Sequence, residues 1–283
     1  MAKEKIIGID LGATNIRGAV VQEQKLSEIK SQRIRSNGTE KEVLDDVFAL
    51  TDALISDDII AIGIGVPSVV DVEEGIVYDV QYIPSWKEVH IKKYMQERYN
   101  IPVFVNNDAN CFALGEYYFG KGQGYNSMIG LAIGTGVGAG IIINKKLYPG
   151  YNCGAGEFGT AEYLDKIYEY YCSGSFFENV YGLKGEFVFE KAQQQDTQAL
   201  QLYAELGEHL GNCIKMIMYT YDPQLIVLGG SVRYAYSYFE EAMWKRIKTC
   251  VYSKSAERLI IEISSLQNSG ILGAAALYYD AEK

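Results

Sequence analysis

The chain has 283 residues, 48% of them hydrophobic and 22% charged, enough apolar material for a sizeable core, which excludes a disordered protein. Its net charge of -10, with no run of Lys and Arg, argues against partners made of phosphate backbone or anionic lipid. The longest apolar stretch, Ile59 to Val70, is interrupted by Pro67 and Ser68 and falls far short of the ~20 residues of a membrane span. Neither nucleic acid nor membrane is therefore an expected partner.

Met1-Ala2-Lys3-Glu4-Lys5 leads straight into an apolar strand with no signal-peptide core before it. The five cysteines are scattered and odd in number, as reduced thiols of a cytoplasmic protein would be. Lys5 to Asp10, a turn at Leu11 to Thr14, and Asn15 to Val21 predict a hairpin. Apolar residues at helical spacing predict a helix over 40–55, and Ile59 to Val66 a buried strand ended by Pro67. A second helix is expected over 90–99 and a short strand over 101–105.

Asn106-Asn-Asp-Ala-Asn110 then stands before the apolar run Cys111 to Phe119, a helix N-cap signal at the mouth of a strand. Ser127 to Asn144 repeats the hairpin theme. Ile7, Gly8, Gly12 and Gly18 recur as Ile129, Gly130, Gly134 and Gly140, an offset of 122 residues that suggests an internal duplication. Helices are expected over 197–219 and 234–252, with a buried strand over 223–230 between them. A strand over 259–264 and a small-residue helix over 270–279 follow.

Four segments carry chemistry. In Asp10-Leu-Gly-Ala-Thr14, Gly12 permits a turn that aims backbone N–H groups at phosphate, Thr14 adds a hydroxyl, and Asp10 can hold Mg²⁺ through water. The alternative is an ordinary hairpin with a solvated Asp. Gly134-Thr-Gly-Val-Gly-Ala-Gly140 matches a dinucleotide fingerprint formally, but it runs into Ile141-Ile-Ile and so predicts a strand, not the helix that fingerprint needs. A backbone cradle for phosphate is the better reading of Gly134, Thr135 and Gly136. Asp108 beside Asn107 is placed to take a proton from an attacking hydroxyl, or it is a plain helix cap. Glu157, in the Gly-rich turn Gly154 to Gly159, can accept hydrogen bonds from sugar hydroxyls or belong to a mere loop.

In this order the segments resemble the ROK family (repressors, open reading frames and sugar kinases) of the actin-like ATPase superfamily. The resemblance rests on Asp10 to Arg17, Val66-Pro-Ser with Asp71, Asn107-Asp-Ala-Asn110, Gly134 to Gly138, Gly156-Glu-Phe-Gly-Thr160, Asp222 to Gly230 and Gly273-Ala-Ala. It implies an α/β, two-lobed fold of duplicated ribonuclease H-like type. The small lobe would be 1–113 plus 268–283 and the large lobe 114–267, closing over the substrates to exclude water. It implies ATP-dependent phosphorylation of a hexose or an N-acetylated amino sugar by a cytoplasmic homodimer. Asp108 would be the general base, with Asn107, Glu157, Glu169 and Thr160 at the sugar. Gly12, Thr14, Gly134, Thr135 and Gly136 would lie at the phosphates with Mg²⁺ near Asp10, and Gly229 and Gly230 at the adenosine.

The sequence departs from the family pattern in two places. Thr160 stands where the family has a histidine, and the cysteine-rich zinc loop that should follow is missing, so no zinc is expected. Ile167 to Gly174 still resembles the segment that closes that loop, which puts Glu169 on the second sugar carboxylate. Pro67, Ser68 and the Trp86 region are expected near the sugar, whose identity stays open. The alternatives are a catalytically degenerate sugar-binding protein or sensor, a repressor, for which the family's N-terminal winged helix has no counterpart before Lys5, and an actin-like chaperone, for which there is no substrate domain.

Overall fold

The computed structural model describes residues 4–282; Met1 to Lys3, part of the segment read for a leader, and Lys283 lie outside the described residues. The chain opens with β1 (Lys5–Leu11), β2 (Asn15–Gln22), β3 (Lys25–Leu26), β4 (Lys30–Arg33), α1 (Glu40–Asp52), β5 (Ile59–Val66), β6 (Val69–Asp71), β7 (Ile76–Tyr78) and β8 (Glu88–Val89). Then come α2 (Ile91–Tyr99), β9 (Val103–Asn107), α3 (Asp108–Phe119), β10 (Met128–Ile133), β11 (Val137–Ile143) and β12 (Lys146–Leu147). After a 3-10 turn (Phe158–Thr160) follow β13 (Glu162–Tyr163), β14 (Lys166–Ile167), α4 (Tyr168–Cys172), α5 (Phe176–Tyr181), α6 (Gly185–Gln193) and α7 (Thr197–Tyr221). The chain closes with β15 (Leu225–Gly229), a second 3-10 turn (Ser231–Ala235), α8 (Tyr236–Ile247), α9 (Ser253–Arg258), β16 (Ile260–Ile263) and α10 (Ser269–Ala281).

These elements form two compact units. The first holds everything up to Gly124, then Gly140–Ala155 and the segment from Ser265; the second holds Tyr125–Ala139 and Gly156–Ser264. The first boundary falls at 124, where the sequence reading puts 113, because α3 stays whole beside α10. Gly115 has Ser269 O where a Cβ would come to 2.7 Å, and a Cβ on Gly273 would lie 1.7 Å from Cys111 O.

The first unit is a mixed sheet in the order β3-β2-β1-β5-β9, with β1, β5 and β9 parallel and β2 antiparallel to β1. Alternation splits its side chains between two cores. Ile7, Ile9, Leu11, Ile62 and Ile64 pack with α1, α2 and the three-stranded β6-β7-β8 sheet. Ile6, Ala19, Val21 and Ala61 face Ile271, Leu272 and Ala275 of α10. Gly63 lets α10 touch the sheet backbone to backbone, since a Cβ there would stand 1.8 Å from Ala274 O. The small-residue run Gly273-Ala-Ala-Ala276 of α10 is thus a packing requirement. Helix α1 begins in a capping box, Thr39 Oγ1 accepting from Glu42 N while the Glu42 carboxylate takes Thr39 N–H.

In the second unit β10 pairs in parallel with β15, and β15 with β16. β1 and β10, the first strands of the two repeated hairpins, thus each continue into a parallel sheet, in keeping with the 122-residue repeat. The likeness extends to the next turn. Gln22 pairs with Lys25 across Glu23 and Gln24, and Ile143 pairs with Lys146 across Asn144 and Lys145, all four turn residues having positive φ.

Three expected elements shift. Strand β9 starts at Val103, since Pro102 has no N–H to donate and its carbonyl instead accepts from Ile62 N at 2.9 Å. The expected helix over 234–252 shortens to α8, which ends at Ile247 where Cys250 N bonds Ile247 O and the Thr249 hydroxyl turns back to Arg246 O; α9 is a separate helix beyond that range. The cap of α3 is Asn107, and Asp108 is the first helical residue.

Candidate functional site

In the first unit, register assembles the chemistry. Asp10 lies opposite Gly65, Gly65 opposite Asn106, and Val66 opposite Asn107, so the carboxyl ends of β1, β5 and β9 bring Asp10, Asn107 and Asp108 to one edge of the sheet. That edge is where open α/β sheets bind ligands. Asn107 Oδ1 accepts from Ala109 N at 2.8 Å and Asn110 N at 3.4 Å, while Nδ2 donates to Ser68 O at 3.2 Å. The cap thus fixes the amide and leaves the second Nδ2 hydrogen for a substrate oxygen. Asp108 is solvent-exposed, with Oδ1 accepting from Ala109 N at 2.8 Å.

Asp10 is paired with Arg17 at 2.6 Å and lies over the start of α10, where a Cβ on Gly270 would come within 2.9 Å of the carboxylate. Gly12 spends its own N–H on Asn15 O at 2.9 Å, closing the turn. The donors this turn presents are the amides of Ala13 and Thr14 and the Thr14 hydroxyl, which accepts from Asn15 Nδ2 at 3.2 Å. Burial, reinforced by the charges of Asp108, Asp10 and Cys153, pushes the Cys111 thiol well above the ordinary thiol range. It is an inert packing group beneath the site.

The sequence reading missed a buried network at this edge. Asn106 Oδ1 accepts from Asn107 N (2.8 Å), Asn110 Nδ2 (2.9 Å) and Cys153 Sγ (3.1 Å), tying the 149–155 loop to the base of α3. Three residues 47 positions apart at the extremes give no local signal. The Trp86 side chain itself is fully buried, packed in the core with Val70, Val77 and Val89 of β6-β7-β8. Ser68 does adjoin Asn107, through its carbonyl.

The second unit holds the other candidates. Gly134 N–H donates to Gly136 O at 2.9 Å, so the hairpin tip closes on itself and presents the amides of Thr135 and Gly136. Gly134 O accepts from Gly174 N at 2.7 Å, and Thr135 O accepts from the Ser175 hydroxyl at 2.9 Å. Glu169 Oε2 accepts from Val137 N at 2.9 Å, and a Cβ on Gly136 would stand 2.5 Å from the same oxygen. Glu169 is therefore bonded to the glycine hairpin itself, with Oε1 as its remaining acceptor.

Glu157 has its carboxyl pushed upward, first by burial and then by the charge of Glu169, which makes the two carboxylates neighbours. Gly156 before it has φ +100°, and a Cβ there would lie 2.2 Å from Ala139 O, so the turn that aims Glu157 needs glycine. Thr160 is exposed, and its hydroxyl donates to Glu157 O at 2.8 Å. Toward a ligand it can act as an acceptor.

Gly229 ends β15 opposite Ala132, and Gly230, at φ +74°, passes Ile133 O so closely that a Cβ would come within 2.1 Å. Beside these glycines opens a cavity of ≈ 560 Å³. Its lining joins Gly134 and Thr135 to Ser175, Lys184, Ser231 and Tyr234, with Phe177, Phe189 and Tyr203 supplying apolar surface. That mix of aromatic wall, cation and hairpin amides suits a nucleotide. The sequence reading named the glycines at its edges and missed the wall, whose Phe177, Phe189 and Tyr203 come from three separate helices, α5, α6 and α7.

Among the described residues, no group of three or more His, Cys, Asp and Glu side chains is arranged to hold a metal. All five cysteines are buried thiols. No helix among the described residues is long and apolar enough to cross a membrane.

Comparison with known proteins agrees with this arrangement. The glucokinase of Thermotoga maritima is 26% identical over 314 residues, covering 98% of each chain. The xylose repressor of Bacillus subtilis is 29% identical, over 97% of this chain and 77% of its own. The solved structure of a ROK family glucokinase from Streptomyces griseus, in complex with glucose and AMPPNP, is 27% identical and superposes with a TM-score of 0.79 over 96% of this chain and 98% of that one. The fold is accordingly the α/β fold of the sugar kinases within the actin-like ATPases. The ROK family model matches residues 6–281, and the chain belongs to that family.

Proposed function

We propose that the chain transfers the γ-phosphoryl group of ATP to a hydroxyl of a hexose or N-acetylated amino sugar, with Asp108 as general base. The observation that carries this reading is the exposed Asp108 carboxylate, held beside an Asn107 amide whose orientation the α3 cap fixes. As the sugar oxygen attacks phosphorus, Asp108 takes the hydroxyl proton and the bond to the β-phosphate oxygen breaks, releasing ADP. The loose transition state leaves the protein chiefly positioning and charge stabilisation to supply.

Thr14, Thr135 and Gly136 offer hydroxyls and amides to the phosphates. Gly12, Gly134, Gly229 and Gly230 permit the close turns that shape the donor site. Mg²⁺ bound with ATP neutralises phosphate charge, and Asp10 fits as the residue that holds it through water, being a strand-end carboxylate already balanced by Arg17. Glu157 and the free oxygen of Glu169 accept sugar hydroxyls, with Thr160 as a further acceptor. The chain works in this reading without zinc, in the cytoplasm, as a homodimer that light scattering would detect.

The test is a coupled assay with ATP and a panel of hexoses and amino sugars. One sugar is expected to turn over, and Asp108→Asn to lower kcat by about 10²–10⁴-fold. Unchanged turnover in Asp108→Asn would remove the mechanism. A second reading, a sugar sensor without catalysis, is favoured by the match to the xylose repressor. Sugar binding without turnover across the panel would select it.

A further inference from the structure

Glu157 and Glu169 stand on either side of a small hairpin, β13–β14, whose two strands have two residues each. Pairs that short do not persist in water on their own. Its base is closed by Tyr168 N donating to Ala161 O at 3.0 Å, directly between the Glu157 turn and α4. What fixes the rest is Tyr163. Its ring stacks on Tyr168 at 4.3 Å, nearly parallel, and meets Tyr171 and His209 edge-on.

The Tyr163 hydroxyl reaches α7. Asn212 Nδ2 donates to it at 2.7 Å, and His209 Nδ1 lies 3.1 Å away. Asn212 is oriented in turn by Arg246 Nε of α8, which donates to its Oδ1 at 2.6 Å. With Asn212 as donor, the tyrosine proton goes to His209 Nδ1, which places the imidazole proton on Nε2, 3.7 Å from Glu205. Burial holds the His209 pKa below its ordinary value, against the opposing pull of Glu205, in keeping with a neutral acceptor.

We propose that Tyr163 is a positioning residue, its hydroxyl pinning the β13–β14 hairpin to α7 and thereby setting where Glu157 and Glu169 stand. The inference deepens the sugar-kinase reading and rests on it for the consequence at the substrate. Tyr163 touches neither substrate in this scheme. It acts through two carboxylates, and through Glu169 on the Val137 amide of the glycine hairpin.

The experiment combines kinetics with hydrogen–deuterium exchange on the full chain, using D-glucose and N-acetylmannosamine as probes. Tyr163→Phe keeps the stacked ring and removes only the hydroxyl. It is expected to raise the KM for the phosphorylated sugar about tenfold with kcat within about twofold, as loss of the two part-buried hydrogen bonds to Asn212 and His209 allows. Exchange should quicken at Val137 and over 157–169, with the melting temperature lowered by no more than about 4 °C. His209→Asn, which keeps an acceptor near the Nδ1 position, should stay close to wild type, while His209→Phe should follow Tyr163→Phe. Unchanged KM and exchange in Tyr163→Phe would overturn the proposal, as would exchange quickened uniformly across α7 and α8. If wild type phosphorylates neither probe, the kinase reading fails on those probes by itself. The exchange pattern then decides alone whether Tyr163 sets the hairpin.

Discussion

The two glycine hairpins share topology and differ in what braces them. The first, at Gly12 to Thr14, is held by its own neighbourhood: Asp10 pairs with Arg17 across the same hairpin, and Thr14 O accepts from Ile34 N at 3.1 Å. The second, at Gly134 to Gly136, is held by a segment some 35 residues on, through Glu169, Gly174 and Ser175. A tip braced locally keeps its shape whatever happens elsewhere. A tip braced by Glu169 shares its bracing group with the proposed sugar site, and coupling between sugar and nucleotide binding is the expected outcome.

The sharpest break of this contrast is alanine at the matching glycines. Gly136→Ala drives a methyl to 2.5 Å from Glu169 Oε2, whereas Gly12→Ala meets only Asn15 O at 3.0 Å. Kinase assays should show kcat/KM lowered about 100-fold by Gly136→Ala, for a loss of about 3 kcal/mol, and only a few-fold by Gly12→Ala. Equal losses would mean that Glu169 does not set the second tip.

Next in size is Glu169→Gln, which removes the charge from the hydrogen bond to Val137. It should raise KM for sugar and for ATP together by about tenfold, as a lost charge-assisted bond permits, while Arg17→Gln leaves the sugar KM within about twofold.

A smaller effect is a pH signature. Because the folded state raises the Glu157 carboxyl above its unfolded value, the contribution of this group to stability is present at low pH and lost as pH rises through the raised value. Glu157→Gln should therefore melt higher than wild type at neutral pH, the gap closing below the ordinary carboxylate range. In wild type, sugar affinity should fall on acidification as Glu157 takes up its proton. Replacing Glu169 by Gln should move that fall to lower pH. The smallest effect belongs to Ser175→Ala, which deletes the hydroxyl bond to Thr135 O and should raise the KM for ATP about threefold, with the sugar KM unchanged.

Much of this was legible before any coordinates. The hairpins, α1, β5, β15 and the cap signal before α3 follow from period, β-branching and Asn chemistry acting over a few residues. The candidate residues Asp10, Asn107, Asp108, Glu157 and Glu169 are named by motif; register gathers Asp10, Asn107 and Asp108 at one sheet edge, while Glu157 precedes a 3-10 turn and Glu169 stands in the first turn of α4. The illegible parts are those built from distant pieces. The β6-β7-β8 sheet and helices α4 and α5 are too short for a periodic signal. Trp86 reads equally well as a sugar platform or as core, and only burial separates the two. Asn106 to Cys153, and Tyr163 with His209 and Asn212, join positions more than 40 apart, so no window along the chain contains both partners.

Helix α10 leaves one consequence for biosynthesis. The strands it covers, β1 and β5, are made before it, and the surface of Ile6, Ala19 and Ala61 lacks its α10 cover until residues 269–281 have left the ribosome. Residues 156–264 of the second unit are all synthesised in the interval. The early sheet must therefore wait, sticky on one side, while the middle of the polypeptide completes itself, and chaperone dependence during translation should concentrate on that waiting face.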